Sequence, residues 1–144
     1  DDKRQDPTFF RTNGKSYGRD GCRVPIPWEA NETAFGFGST EDTWLPQPAV
    51  YRDYSRDLQR GVPGSTLELY RSALAQRKAR ALGEGTFEWI DGVPENIVAF
   101  RNGEVCVYCN YGSEEFSLPA GKIILDSADA SNGILVPAST VWLI

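Results

Sequence analysis

The first 60 or so residues of this 144-residue chain carry no regular spacing of apolar side chains, and this feature constrains the fold most strongly. Gly, Pro, Asn, Asp, Ser and Thr recur every few positions, so neither a period of 2 nor one of 3.6 persists. The apolar residues there are mostly scattered aromatics: Phe9, Phe10, Tyr17, Trp28, Phe35, Phe37 and Trp44. Such aromatics need a surface to pack on, and a stretch of this length is uncommon inside a self-contained domain. The sequence therefore predicts an irregular segment that belongs to a larger protein.

The first regular element is predicted just after this segment. Ser65 and Glu68 have the spacing of a capping box, in which the Ser side chain closes the N-terminus of a helix. Basic residues cluster toward the C-terminal half, where the helix dipole favours cations, and Gly83 offers a stop. Apolar residues recur on one helical face: Leu67, Tyr70, Leu74 and Ala81. The sequence predicts one long helix over about 66–82.

From Gly85 onward the apolar spacing changes to a period of 2, which is typical of β-strands. Turn residues separate seven short segments of this kind: 86–90, 98–101, 104–110, 114–118, 122–125, 133–136 and 140–143. Such a succession of short strands is typical of an antiparallel β-sandwich. We therefore predict a mainly β fold with one long α-helix, in which residues 85–144 form the sandwich.

The dipeptide Asn102-Gly103 is a strong hairpin signal. A two-residue turn there would place Arg101 opposite Glu104, where the two side chains can pair, and Phe100 opposite Val105. This register predicts that one face, assigned to the core, carries Val98, Phe100, Val105, Val107 and Cys109.

The composition disfavours several classes of function. Hydrophobic residues are 40% and charged residues 24%, as in ordinary globular proteins. The net charge of −5 disfavours nucleic acid as a partner, and no apolar stretch approaches the roughly 20 residues that span a membrane. Histidine, the commonest general base and metal ligand, is absent. We expect neither a nucleic-acid partner nor a membrane partner.

The three cysteines are an odd number, which suits a reducing cytosol and predicts a cytoplasmic location. Cys106 and Cys109 are spaced as CxxC, but an odd separation along a strand places the two thiols on opposite faces. One such pair without histidine cannot supply four zinc ligands. We expect no metal and no cofactor.

The run Gly18-Arg19-Asp20-Gly21-Cys22-Arg23-Val24-Pro25-Ile26-Pro27-Trp28 concentrates charge between glycines and prolines. The glycines permit backbone angles closed to other residues, and the prolines hold the exit in an extended form. Taken alone, these residues favour a surface turn in which Arg19 and Asp20 are solvated. The alternative is a rigid loop that presents charge.

This run resembles a segment of the α-glucosidase branch of the α-amylase family of glycoside hydrolases, where it lies in the long loop after the last strand of the catalytic (β/α)8 barrel. Gln5-Asp6-Pro7-Thr8 is similar to the lead-in of that loop, and Thr43-Trp44-Leu45-Pro46-Gln47-Pro48 is similar to the family's next landmark. The resemblance covers nearly all of the chain. It implies that residues 1–84 are the last loop and last helix of the barrel, and that residues 85–144 are its β-sandwich domain C.

The resemblance also implies a function for the parent protein, a retaining α-glucosidase that releases α-linked glucose from short oligosaccharides or disaccharides. Retaining hydrolysis needs two carboxyl groups about 5 Å apart, and in the family these lie on barrel segments that would precede Asp1. We therefore expect no catalytic residue in this chain and no activity from the chain alone. Its partner would be the missing N-terminal barrel of the same protein.

Arg19 matches the arginine that, in this family, reaches the glucose subsite from the last loop. A guanidinium suits that role because its planar fork bonds sugar hydroxyls and carboxylates at once. Arg23 is the rival assignment, for which we favour a structural role under the mouth of the barrel. The alternative for Arg19 is a structural loop pair with Asp20. Trp28 is expected to be a packed anchor rather than a sugar platform.

Two other classes of function stay open. A non-catalytic relative would keep the fold and bind or anchor a partner. A carbohydrate-binding β module is disfavoured, because such a module needs neither the helix after Ser65 nor the long lead-in. The presence or absence of the catalytic carboxylates upstream would distinguish the α-glucosidase from the non-catalytic relative.

Overall fold

In the computed structural model, which describes residues 2–144, the chain divides between Val62 and Pro63 into two units. Within its described residues the first unit has no strand, and its helical elements are short: α1 (Pro7–Arg11), α2 (Arg56–Gln59) and 3-10 turns at Asp20–Cys22, Thr33–Gly36 and Ala49–Tyr54. Few of its apolar residues are buried, namely Pro25, Pro27, Ala30, Ala34 and Leu45. The predicted irregular segment is confirmed. The domain boundary predicted between residues 84 and 85 is not tested by this division and stays a prediction.

The second unit begins with the predicted helix, α3, which spans Thr66–Ala79. The Ser65 side chain accepts the N–H of Glu68 at 3.3 Å, as the capping box predicts. The helix ends three residues earlier than predicted, because Ala81 adopts a φ of +50°. The N–H of Ala81 then bonds the carbonyl of Lys78, and the N–H of Leu82 bonds that of Arg77. These two bonds form a Schellman motif, so Ala81 rather than Gly83 ends the helix.

The rest of the second unit is antiparallel β-structure, as predicted. Five strands form one sheet in the order β1-β2-β3-β7-β5, and β4 pairs with β6 in a smaller sheet. The strand bounds are β1 Phe87–Trp89, β2 Ile97–Asn102, β3 Val105–Asn110, β4 Phe116–Ser117, β5 Ile123–Asp126, β6 Ile134–Leu135 and β7 Ser139–Leu143. The core cluster joins one face of the larger sheet to the smaller sheet: Ile97, Ala99, Tyr108, Ala130, Leu135, Val141 and Leu143.

The β2–β3 hairpin is present, but the predicted pairing is wrong by two residues. Phe100 lies opposite Val107, and Asn102 lies opposite Val105, so the turn consists of Gly103 and Glu104. Gly103 has a φ of +57°, and glycine at the first central position is typical of a type II′ turn. Asn102 stays in the strand because β1 pairs with it, through Phe87, on the other side of β2.

A shift of two residues leaves every side chain on its predicted face, so the five residues assigned to one face do share it. The assignment of that face to the core holds for the buried Val105 and Val107, but the core cluster that joins the two sheets lies on the opposite face. We call the face without the core cluster the outer sheet face. It carries Val98, Phe100, Val105, Val107 and Cys109, with Phe87 and Trp89 of β1. Val105 and Val107 are buried, whereas Phe87 and Trp89 are 52% and 66% exposed.

The predicted pair between Arg101 and Glu104 is also wrong, because Glu104 lies in the turn. Glu104 instead forms an ion pair with Arg80, the residue that follows α3. Arg101 lies opposite Cys106 on one side and Glu88 on the other. The basic end of the helix is thereby tied to the hairpin.

The three cysteines are free. The prediction that the two CxxC thiols lie on opposite faces of a strand is confirmed. Cys106 and Cys109 lie on opposite faces of β3, where they pair with Leu143 and Thr140. Across residues 2–144, no helix combines the length and the apolar character needed to cross a membrane.

Candidate functional site

The candidate site is the charged loop of residues 18–23 in the first unit, and its position is set by the start of α1. Pro7 occupies the first turn of that helix, and Asp6 is its N-cap. The Asp6 Oδ1 atom accepts the N–H of Thr8 at 2.8 Å. Asp followed by Pro is a common way to begin a helix, because the carboxylate satisfies a free N–H and proline has none to satisfy. This local cap fixes the Asp6 carboxylate in space.

Asp6 and Asp20 each hold the backbone of the other's segment, and we call them the crossed carboxylates. The Asp6 Oδ2 atom accepts the N–H of Arg19 at 2.8 Å. The Asp20 Oδ2 atom accepts the N–H groups of Gln5 and Asp6 at 2.9 and 3.0 Å. Both carboxylates are buried, with exposures of 4% and 6%. Two segments more than ten residues apart are thereby joined by carboxylate–backbone bonds.

The bonds to Asp6 hold its pKa well below the ordinary value, at about 2. The N–H of Arg19 is the largest cause, followed by the groups of Thr8, and the nearby charge of Arg23 adds to the effect. A carboxylate that accepts several N–H bonds is stabilised in its ionised form. Asp6 is therefore ionised at any physiological pH.

Gly18 allows this arrangement. It has a φ of +68°, and a Cβ atom there would lie 2.4 Å from the Cγ of Asp6. A side chain of any size would therefore displace the carboxylate from its place against the loop. Glycine is required at this position both for its backbone angle and for the close approach of Asp6.

The two arginines of the loop have different surroundings. The Arg23 Nη1 atom lies 3.0 Å from the Oδ2 of Asp6, and its side chain is 47% exposed. The Arg19 side chain is exposed, and in the part of the chain that the structure describes no group bonds its guanidinium. Nor do Arg19 and Asp20 form the loop pair considered above, since Asp20 bonds backbone groups instead. The Arg19 side chain is therefore exposed, whereas Arg23 is paired with Asp6.

A small cavity of about 230 Å³ lies beside Asp20 within the first unit. The Asp20 Oδ1 atom is buried and accepts no bond from the described residues. The other lining residues are Lys3, Arg4, Gly21, Val24, Leu45 and Pro46. The cavity thus combines one free acceptor and two basic residues with an otherwise largely apolar wall.

Sequence reasoning missed two contributors to this site. Arg4 lies over the rings of Tyr17 and Phe9, at 4.1 and 4.9 Å from their centres, and so forms part of an aromatic cluster. The role of Asp6 toward Arg19 was missed as well. The Asp6-Pro7 dipeptide signals a helix start, but no local pattern shows which distant N–H the second carboxylate oxygen accepts. Trp28 is 42% exposed, so it is only partly packed.

Comparison with known proteins identifies the family. The family model described as the alpha amylase catalytic domain matches residues 1–85. The salivary alpha-glucosidase of Anopheles gambiae is 35% identical over 111 residues, which cover 74% of this chain and 18% of that protein. A probable alpha-glucosidase of Rhizobium meliloti is 39% identical over 113 residues, which cover 77% of this chain and 20% of that protein. The chain belongs to the alpha-amylase family of glycoside hydrolases, which confirms the resemblance seen in residues 18–28.

Two further comparisons define the extent of this match. The trehalose-6-phosphate hydrolase of Bacillus licheniformis has the same fold over 94% of this chain and 29% of its own, with a TM-score of 0.68 at 22% identity. A human amino acid transporter heavy chain is 26% identical over 136 residues, which cover 84% of this chain and 20% of that protein. The chain spans about a fifth of the length of the curated relatives it matches.

Proposed function

We propose that this chain is the C-terminal part of an α-glucosidase that acts on short α-glucosidic oligosaccharides or disaccharides. The observation that carries the proposal is the match of residues 1–85 to the catalytic-domain model, together with two relatives named alpha-glucosidase at 35% and 39% identity. The end of that match at residue 85 supports a boundary between barrel and β-sandwich at residues 84 and 85. The chain alone should not hydrolyse an aryl α-glucoside, because the catalytic carboxylates of the family lie on other segments.

Within the parent enzyme, Arg19 contacts the glucose unit from the last barrel loop. Its support is the exposed, unbonded guanidinium on a backbone fixed by a buried carboxylate. Arg23 is engaged with Asp6 and so takes the structural role. A guanidinium bonds two sugar oxygens with one rigid fork, which an ammonium group cannot do.

Arg19→Lys tests this contact. Loss of a charged hydrogen bond would cost roughly 1.5–3 kcal/mol, which is about a 10- to 150-fold loss in kcat/KM. The free energy of unfolding should change little, because the Arg19 side chain is exposed. Arg23→Lys is the matched control, with a loss of stability and a smaller loss of kcat/KM. If Arg23→Lys abolishes activity while Arg19→Lys leaves it nearly intact, the two roles are reversed.

The remaining barrel of the same protein is the proposed partner. The support lies in apolar side chains that each unit leaves exposed, among them Trp44 in the first and Tyr70, Leu74 and Trp89 in the second. The purified 144-residue chain should therefore bind a hydrophobic dye. Absence of dye binding would count against a missing partner surface. A cytoplasmic location is part of the same proposal and is supported by the three free thiols.

A second candidate is a non-catalytic member of the family, and the transporter heavy chain among the relatives is the observation that favours it. The two candidates differ in the carboxylates that the rest of the protein carries. The upstream sequence decides between them. An intact nucleophile, acid/base and third carboxylate would indicate the enzyme, and their loss would indicate the non-catalytic member.

A further inference from the structure

The crossed carboxylates carry an inference that rests on the function proposed for Arg19. We propose that Asp6 is a positioning residue for Arg19, because its carboxylate fixes the backbone from which the Arg19 guanidinium reaches the sugar. Asp20 completes the arrangement by holding the backbone on which Asp6 stands. Neither aspartate needs to touch the substrate for this role.

The bond that matters is the one to the Arg19 backbone. Asp6 Oδ2 accepts the N–H of Arg19 at 2.8 Å, whereas the Arg19 guanidinium is left unbonded by the described residues. A carboxylate bonded to the guanidinium would compete with a ligand. One bonded to the N–H instead fixes where the side chain starts and leaves its donors free. This division of labour is what a pre-organised ligand contact requires.

Arg23 makes the arrangement electrostatically consistent. An ionised Asp6 this close to Arg19 would attract the Arg19 guanidinium inward. The Arg23 Nη1 atom already occupies the Oδ2 of Asp6 at 3.0 Å and so compensates its charge. The two arginines of the loop therefore have complementary roles: Arg23 pairs with the Asp6 carboxylate, and the Arg19 side chain stays exposed.

Gly18 provides an independent way to separate the Asp6 carboxylate from the Arg19 backbone. A Cβ atom at this position would lie 2.4 Å from the Asp6 Cγ, so Gly18→Ala displaces the carboxylate. Both aspartates and both arginines remain in that variant. An effect on Arg19 would then arise from geometry rather than from a lost charge.

The test is a double-mutant cycle on kcat/KM in the parent α-glucosidase, with Asp6→Asn, Arg19→Lys and the double variant. Asparagine keeps the shape of Asp6 but turns an NH2 group toward either Thr8 or Arg19. Asp6→Asn should lower kcat/KM by about 10- to 100-fold, as a misplaced contact group does. In the Arg19→Lys background the same change should have little further effect, because the contact it positions is already lost.

Asp57→Asn is the matched control. The Asp57 carboxylate also accepts backbone N–H groups in the first unit, from Ala30 at 3.1 Å and Leu58 at 2.9 Å, but it does not contact the Arg19 loop. Its loss should leave kcat/KM close to that of the wild type. If Asp6→Asn and Arg19→Lys are additive, or if Asp57→Asn matches Asp6→Asn, Asp6 does not act through Arg19. If Arg19→Lys alone has no kinetic effect, the proposed sugar contact fails first.

A second readout does not depend on activity. In the 144-residue chain, the Arg19 amide resonance should shift and its hydrogen exchange should accelerate in both Asp6→Asn and Gly18→Ala. The Asp57→Asn variant should leave that amide unchanged. An Arg19 amide that is insensitive to both changes would overturn the positioning role, whatever the kinetics of Arg19→Lys.

Discussion

The two units of this chain are ordered by different interactions. Prolines apart, the first unit buries three apolar side chains among residues 2–144, those of Ala30, Ala34 and Leu45, whereas the second buries nine. The first unit instead buries two carboxyl groups, the crossed carboxylates, which accept bonds from backbone N–H groups of distant segments. The second unit depends on a sandwich core and the first on a few directed bonds.

This difference separates two tasks. Apolar burial is additive and non-directional, so it stabilises a fold without fixing any one side chain. A carboxylate–N–H bond adds only about 1.5–3 kcal/mol but requires defined distances and angles. We therefore expect the first unit to have a small free energy of unfolding, although its bonds fix the orientation of the loop at residues 18–23. The role proposed for Arg19 needs an oriented loop more than it needs a core.

The largest effect is expected from the core of the second unit. Leu135 of β6 is 1% exposed and belongs to the core cluster. Leu135→Ala should reduce the free energy of unfolding by about 2–5 kcal/mol, because it removes buried contacts and leaves a cavity. Chemical denaturation of the 144-residue chain, followed by circular dichroism, measures this change.

Phe100→Ala is the control for that prediction. Phe100 lies on the outer sheet face, in contact with the exposed rings of Phe87 and Trp89. Its truncation should cost less than that of Leu135, and less than the roughly 3–5 kcal/mol of a core phenylalanine. If Phe100→Ala is the more destabilising change, the outer face rather than the core cluster holds the sheet.

Hydrogen exchange should separate the two units along the chain. Amides within 97–109 lie in β2 and β3, each of which is paired on both sides, and should exchange slowly. Amides within 2–60 should exchange fast, with the N–H groups of Asp6 and Arg19 as protected exceptions. Exchange measured residue by residue on the 144-residue chain tests this contrast. Equal protection of both regions would show that the first unit has a core of its own.

Acid should loosen the first unit before the second. The pKa of Asp6 is lowered from 3.8 to about 2, and the pKa of Asp57 is lowered too, chiefly by the Ser55 hydroxyl. A depressed pKa contributes stability that is fully present above the ordinary value and is lost as the pH falls through the folded value. The bond to Arg19 should therefore weaken as the pH approaches 2.

The Arg19 amide resonance, followed against pH, reports this step. The Asp6→Asn variant is the control and should show no such step, because it has no carboxyl group there. In the second unit, Asp129, whose pKa is lowered, accepts the N–H of Ser131 outside the strands, so the sheet amides should be less sensitive to acid. Sheet amides that change at a higher pH than Arg19 would reverse the order proposed for the two units.

Local signals predicted the second unit well because its elements arise from local patterns. The Ser65 cap and the period-2 segments specify where the helix starts and where strands run. The hairpin register was missed because Asn102-Gly103 and Gly103-Glu104 both suit a two-residue turn. The choice is made by β1, a distant strand that pairs with Asn102. With this turn, Glu104 pairs with Arg80 rather than with Arg101.

The candidate site followed a different course. Arg19 and Arg23 were singled out by family resemblance, and their different surroundings follow from Asp6, which lies 13 residues before Arg19. A bond over that distance leaves no periodic trace in the sequence. Only the glycine at position 18 hints at a close approach, and a glycine alone does not say to what. The sequence could name the arginines but not what orients them.

The smallest effect compares two helix ends of the same design. Both α1 and α3 end in a Schellman motif, with Asn13 at a φ of +52° in the first and Ala81 at +50° in the second. Alanine is strained there by its Cβ atom, whereas asparagine tolerates this conformation. Ala81→Gly should therefore raise the free energy of unfolding by about 1 kcal/mol, and Asn13→Gly by less. Thermal denaturation of both variants measures the difference, with Ala75→Gly in the interior of α3 expected to destabilise by about 1 kcal/mol. Equal gains at residues 13 and 81 would mean that the strain at Ala81 is relieved elsewhere in the second unit.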